Sequence, residues 1–338
     1  MKDFRLENAN FLTVLNTTEG IVSMADILYA RANQLLDAVD QLILGKRHQA
    51  TLILASWLAR GHVLLDDVPG VAKTRLARVL AQLTGLSFAR IQGSPDLLPQ
   101  DITGGLVYDL KSSELKFRAG PVFHHIVLVD EINRTTPRSQ AALLECMEER
   151  QVTADGVTHL LPDPFLIVAT QNPVEMEGTF PLPEAELDRF LISLSLGYPT
   201  VDDERALVKN FSQRDPIDDL SPLFTGDEVS HMVDACRQVA INTVTLDYLI
   251  SLCRLTRTHP LVDLGASPRT SLRFAQVARA YAWLQQRTYV TPDDIKLLAP
   301  HVLGHRLVPS PSATVSRIRG QALVEQIVAD VPVPVEDA

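Results

Sequence analysis

Eight consecutive residues, Asp67-Val68-Pro69-Gly70-Val71-Ala72-Lys73-Thr74, join an apolar strand-like run to a helical pattern that continues through Arg75. A loop at such a junction aims backbone N–H groups and a helix N-terminus at an anion, and so cradles phosphate. In that chemistry a lysine reaches the outer phosphates and the next hydroxyl residue binds Mg2+, the roles open to Lys73 and Thr74. The strict spacing Gly-x-x-x-x-Gly-Lys-Ser/Thr is not met, because Asp67 and Ala72 occupy both glycine positions. Ala72 is expected where the chain enters the helix, in a conformation that does not require glycine. Asp67 is expected to turn its carboxylate away from the phosphates.

Fifty-six residues after Thr74, the apolar run Ile126-Val127-Leu128-Val129 ends in Asp130-Glu131. Paired acids at a strand end divide naturally: Asp130 holds Mg2+ through its water shell and Glu131 polarises an attacking water. A further run, Phe165–Ala169, ends in Thr170-Gln171-Asn172-Pro173. Asn172 then falls beside the first two strand ends, able to orient water against a terminal phosphate. Other constellations carry less. His124 and His125 are adjacent in a strand pattern and point to opposite faces. His301 and His305 have helical spacing but no acidic partner to complete a zinc motif. Neither G-x-S-x-G nor H-E-x-x-H occurs.

Bringing these strand ends together requires a parallel sheet. The apolar runs His62–Leu65, Phe88–Ile91, Ile126–Val129, Phe165–Ala169 and Phe190–Leu196 alternate with helical patterns at Lys73–Thr84 and Pro137–Glu149. Two hairpins interrupt the alternation: Leu106–Leu110 with Leu115–Arg118, and Gln151–Ala154 with Val157–Leu160 around Asp155-Gly156. Beyond about residue 200 helices dominate: Asp202–Phe211, Gly226–Ala240, Leu246–Thr258, Ser271–Gln286 and Pro292–Ala299. The expected organisation is a helical extension over 1–40, broken by polar residues at Asn16–Gly20, and an α/β core over 41–200. A helical domain over 201–330 and a frayed tail over 331–338 follow.

The chain has 338 residues, 46% hydrophobic and 21% charged, which supports a packed core and excludes disorder over most of its length. Its net charge of −10 argues against a protein whose task is gripping nucleic acid. No run reaches the length of a membrane span, and the first residues lack the apolar centre of a signal peptide. Cys146, Cys236 and Cys253, odd in number and widely spaced, fit buried reduced thiols in a cytoplasmic protein.

The ordered strings DDVPGVAKT, LVDEINR, ATQNP, GTFPLPEAELDRF and GASPRTSLRF resemble the MoxR branch of the AAA+ ATPases across about residues 40 to 308. The resemblance implies an α/β P-loop NTPase core, a parallel five-stranded sheet with two hairpin insertions, followed by a small all-α lid. It implies ATP and Mg2+ as cofactors, held by Gly45, Lys46, Asp67, Val68, Pro69, Gly70, Val71, Ala72, Lys73, Thr74 and Arg75, with Thr74 and Asp130 on the metal. Glu131 matches the water-polarising acid and Asn172 the sensor 1 residue. Arg189 is similar to the arginine finger that reaches a neighbouring subunit's γ-phosphate, and Arg269 to the sensor 2 arginine of the lid. Arg134 falls near a subunit boundary. The hairpins match the helix-2 insert and the pre-sensor-1 hairpin of this branch. The same resemblance implies a homo-oligomeric ring, a hexamer, that remodels protein clients in a chaperone-like manner, with a von Willebrand factor A-like partner. Two other readings stay open. Asp67 motivates a nucleotide-gated scaffold with little or no hydrolysis, and the insertions are shared with the ATPase subunits of metal chelatases.

Overall fold

The computed structural model describes residues 15–17, 20–22, 24–67, 70–154, 156–172, 178–210, 217, 220–316, 318 and 320–334. Five strands, β1 (Val63–Asp66), β2 (Phe88–Gln92), β3 (Ile126–Asp130), β4 (Leu166–Gln171) and β5 (Ile192–Leu194), form one sheet in the order β5-β1-β4-β3-β2. Every pairing is parallel. The central strands read as unbroken apolar runs because both faces are covered, as parallel sheets require. Val63 and Leu65 face one cluster with the helices Met24–Leu42, Arg47–Leu58 and Lys73–Thr84. Leu64, Val127, Val129, Ile167 and Ala169 face the other, against the helix Pro137–Glu149. That helix starts where its sequence says it should, with Thr136 accepting from the Ser139 backbone and Pro137 in its first turn.

Parallel register sets Gln171 beside Asp66, Ala169 beside Val129 and Gln92 beside Asp130. The carboxyl ends of β1, β2, β3 and β4 therefore share one edge, where open α/β sheets take their ligands. The hairpins pair Gly104–Asp109 with Glu114–Ala119 and Gln151–Ala154 with Val157–Leu160. The Phe117 ring of the first stacks on His159 of the second, centroids 4.0 Å apart and planes 10° apart, and Phe123 packs edge-on against both.

The lid is helical, with helices at Val201–Asn210, Gly226–Arg237, Thr243–Leu255, Pro268–Leu284, Pro292–Leu303, Pro311–Val315 and Gln321–Asp330. A short antiparallel pair, Val262–Leu264 with Val308–Pro309, lies within it. Thr225 with Glu228 and Thr291 with Asp294 close reciprocal capping boxes at two helix starts. Lid and core share one apolar cluster, in which Phe274 and Leu298 of the lid join Leu52 and Leu194 of the core.

The N-terminal extension, expected to be helical with a polar break at Asn16–Gly20, carries strands at that break. Residues 1–14 lie outside the described residues, and Leu15–Thr17, which runs into the break, pairs antiparallel with Gly20–Val22, which leads out of it. Thr17, Ile21 and Val22 are β-branched and Gly20 is a poor helix former, so the local preference is extended. The helix begins at Met24 and buries Leu28, Ala32, Leu35, Leu36 and Val39 at helical spacing. Cys146, Cys236 and Cys253 are buried free thiols, and burial pushes that of Cys146 up to about 12.

His62 immediately precedes β1 and has both ring nitrogens committed in opposite senses. Nδ1 accepts from the Ile167 backbone N–H at 3.0 Å, so Nε2 carries the proton and donates to the Met147 carbonyl at 3.1 Å. Burial, reinforced by the Arg150 charge, depresses its pKa to about 3. The unfolded chain binds a proton at His62 below its ordinary pKa of 6.5, whereas the native state binds one only near 3. Stability is therefore lost as pH falls through that window, at about 1.4 kcal/mol per pH unit from this residue. Urea unfolding between about pH 6 and pH 4.5 should show His62→Gln with a pH slope shallower by close to one proton. Equal slopes in the two proteins would contradict the assignment.

Candidate active site

The phosphate-type loop leaves β1 at Asp66 and enters the helix Lys73–Thr84 through Ala72. Ala72 is left-handed, with φ 65° and ψ 23°, contrary to the expectation that it would need no glycine-like geometry. The turn that aims the helix N-terminus imposes this conformation, and the methyl group tolerates it at a cost of about 1–2 kcal/mol. Ala72→Gly is expected to raise stability by about 1 kcal/mol in denaturant unfolding, since glycine loses the strain but gains unfolded-state entropy. An unchanged or lowered midpoint would refute the strain. Gly70 has φ 87° and open space around it. Val71 is buried, Arg75 is half-buried one residue past Thr74, and Val68 and Pro69 lie outside the described residues.

Lys73 is buried, and its ammonium donates to the Asp67 carbonyl at 2.9 Å. The Asp67 carboxylate points the other way, as the sequence demanded. It accepts from the Ser195 hydroxyl at 2.8 Å, from the Gly197 N–H at 3.3 Å and from the Leu196 N–H. Lys46 grips the same stretch from its carbonyl side, donating to Leu196 O at 2.5 Å and Tyr198 O at 3.2 Å. Asp67 and Lys46 thus clamp the connection from β5 to the lid at successive peptide groups. Gly45, at φ 70°, lies against the lid residue Asp203, whose carboxylate oxygen would be 2.6 Å from a Cβ there.

On the adjoining strand ends, Asp130 meets Thr74: the hydroxyl is 3.4 Å from Oδ2. Thr170 donates to Oδ1 at 2.7 Å and accepts from the Glu131 backbone N–H at 2.9 Å, locking the end of β3 to β4. A hydroxyl facing a carboxylate offers hard oxygen donors, which suit Mg2+. Arg90, from β2, donates to the same Oδ2 at 2.7 Å. Glu131 adopts left-handed geometry, φ 57° and ψ 52°. Its carboxylate accepts from Gln92 Nε2 at 3.1 Å and lies 3.6 Å from Arg134 Nη1. Gly93 makes room for this turn, since a Cβ there would sit 2.1 Å from the Glu131 carbonyl oxygen. Asn172 is buried one residue past β4, its carbonyl 3.5 Å from Asn133 Nδ2. Sequence reasoning missed Arg90, Gln92 and Gly93, because only the strand order makes β2 a neighbour of β3, and it gave Thr170 of β4 no role.

The two distal arginines lie elsewhere. Arg189 precedes β5, and with Arg269 it lines a recess formed also by Arg60, Gly61 and His62, at the start of β1. The four residues of β1 alone separate that end from the loop by about 13 Å. Both arginines converge on Glu148: Oε2 is 3.5 Å from Arg189 Nε and Oε1 is 2.7 Å from Arg269 Nη1. Arg269, expected as the sensor 2 arginine of the lid, shares that carboxylate with Arg189 near the first turn of the helix Pro268–Leu284. Beneath them, buried Arg306 donates through Nε to Asp188 Oδ1 at 2.7 Å, and Thr270 donates to the same oxygen at 3.3 Å. No helix among the described residues is long and apolar enough to cross a membrane.

Residues 62–192 match the model of an ATPase family associated with various cellular activities (AAA), and residues 254–327 match an AAA lid domain. The chain is 46% identical over 309 residues to the uncharacterized protein YeaC of Bacillus subtilis, covering 91% of this chain and 97% of YeaC. It is 37% identical to Chaperone MoxR1 of Mycobacterium tuberculosis, over 88% of this chain and 80% of that protein. A crystal structure of a proposed ATPase from Cytophaga hutchinsonii superposes with a TM-score of 0.85 at 34% identity, covering 92% of this chain and 97% of that one. On the family model over the core, the lid model that follows it and these relatives, the chain belongs to the MoxR family of AAA ATPases.

Proposed function

We propose that the protein hydrolyses ATP in a ring of identical subunits and uses the cycle to remodel protein clients. The observation that carries this reading is the convergence of Lys73, Thr74, Asp130 and Glu131 on one sheet edge, with Arg189 and Arg269 paired at the opposite end. Lys73 exchanges the Asp67 carbonyl for the outer phosphates, while backbone N–H groups of the loop take the rest. Thr74 and Asp130 are the residues that would hold Mg2+, which when bound neutralises charge on the phosphate oxygens. Glu131 accepts a proton from, or orients, the attacking water, and Asn172 lies one residue past the adjoining strand, within range to help fix it. Arg189 and Arg269 gather at the start of β1, the end opposite their own loop, which favours their service to a neighbour. By family resemblance the ring has six members, and the two hairpin insertions support a place in the helix-2-insert branch.

Chaperone-like action on clients draws on the relative named Chaperone MoxR1 and on the exposed apolar residues Leu110 and Val157 beside the turns of the two hairpins. The scaffold reading loses its motive, because Asp67 turns its charge toward Ser195–Gly197 and away from the loop. The direct test is Mg2+-dependent release of phosphate from ATP, with Lys73→Ala as the blank. Turnover above the blank is expected. A rate equal to it, with ATP still bound by the wild type, would return the scaffold reading to favour.

A further inference from the structure

We infer that Glu148 is a positioning residue for hydrolysis: its carboxylate holds Arg189 of the core and Arg269 of the lid side by side and presents them together to a neighbouring subunit's nucleotide. The inference deepens the proposed trans role of Arg189 and rests on it.

Each carboxylate oxygen takes one arginine, Oε2 facing Arg189 Nε and Oε1 facing Arg269 Nη1. Nε is the Arg189 nitrogen in ion-pair range of Glu148, at 3.5 Å, which leaves the two terminal nitrogens as a fork, the geometry that grips phosphate in a bidentate way. Arg60, Arg273 and Arg306 line the same recess, so five guanidinium groups gather around Glu148 and Asp188. Two like charges brought this close repel unless an anion lies between them. Asp188 is already committed to buried Arg306, leaving Glu148 as the anion that Arg189 and Arg269 share among the described residues. The side chains of Glu148 and Arg189 are each 32% exposed, and that of Arg269 is 43% exposed. Such pairs add little to stability. Their effect is on direction. Glu148 is near the end of the helix Pro137–Glu149, which begins seven residues beyond Asp130, so one helix connects the neighbourhood of the acidic strand end to the arginines.

The experiment measures kcat and KM for ATP in Glu148→Ala and Glu148→Gln, with ring assembly and melting as controls. Both variants are expected to lose about tenfold or more in kcat, as misplacement of a catalytic group does, while KM stays within about twofold. Glu148→Asp should recover part of the loss. Mixed assemblies locate the defect. Glu148→Ala mixed with Glu131→Gln should regain activity, because the second subunit donates well-held arginines to the first one's intact loop. Glu148→Ala mixed with Arg189→Ala should not, because both lesions are on the donating face. Wild-type kcat in the Glu148 variants would overturn the inference, as would a loss that mixing with Glu131→Gln fails to repair. If Arg189→Ala and Glu131→Gln do complement each other in that case, the trans reading stands while this inference falls. If they do not, both fall.

Discussion

Arg189→Ala is expected to keep its nucleotide and lose hydrolysis by about 10³-fold or more, the effect of removing a guanidinium supplied in trans. The transferred phosphoryl group spreads charge over its equatorial oxygens, and few residues other than arginine can meet it with two parallel donors. Glu131→Gln should also bind nucleotide and fall by about 10² to 10⁴, because the amide cannot take the proton. Equal mixtures of the two variants then form interfaces in which an intact loop faces an intact arginine, and part of the rate returns. Phosphate release from the mixture, compared with each variant alone, reads this out. A mixture no faster than its components means that Arg189 does not act across the interface.

Asp67→Ala is expected to cost about 2–4 kcal/mol in denaturant unfolding, because one buried carboxylate satisfies three donors at once. Those donors are the Ser195 hydroxyl and the N–H groups of Leu196 and Gly197, all on the segment that carries the chain from β5 into the lid. Asp67→Asn keeps one acceptor oxygen and should recover a portion of the loss. The informative variant is Asp67→Gly, which restores the glycine of the strict phosphate-loop pattern. It should be as destabilised as the alanine variant, since the loss comes from the carboxylate and not from the backbone. Wild-type stability in Asp67→Gly would show that the clamp contributes nothing.

Much of the framework was legible because it is local. The helices Lys73–Thr84 and Pro137–Glu149 and the hairpin around Gly156 fall where periodicity, Pro137 and the Asp-Gly pair put them. Lys73, Thr74, Asp130 and Glu131 come together because parallel strands bring their carboxyl ends to one edge, a consequence of topology class alone. What escaped the sequence depends on which strand neighbours which. Arg90 and Gln92 reach Asp130 and Glu131 across a pairing that no spacing encodes. The partners of Asp67 and Lys46 lie about 130 and 150 residues downstream. Nothing in the sequence singles out Glu148, because its partner Arg269 reaches it only through packing of the lid. At Ala72 the error had a different origin, since residue type carries no record of backbone strain.

The stacked rings of Phe117 and His159 have a mechanical consequence. The hairpins belong to segments about 40 residues apart, yet a stacked pair worth about 0.5–1.5 kcal/mol couples them. Torque applied to one insertion is therefore passed in part to the other, so the two favour swinging as blades of one paddle.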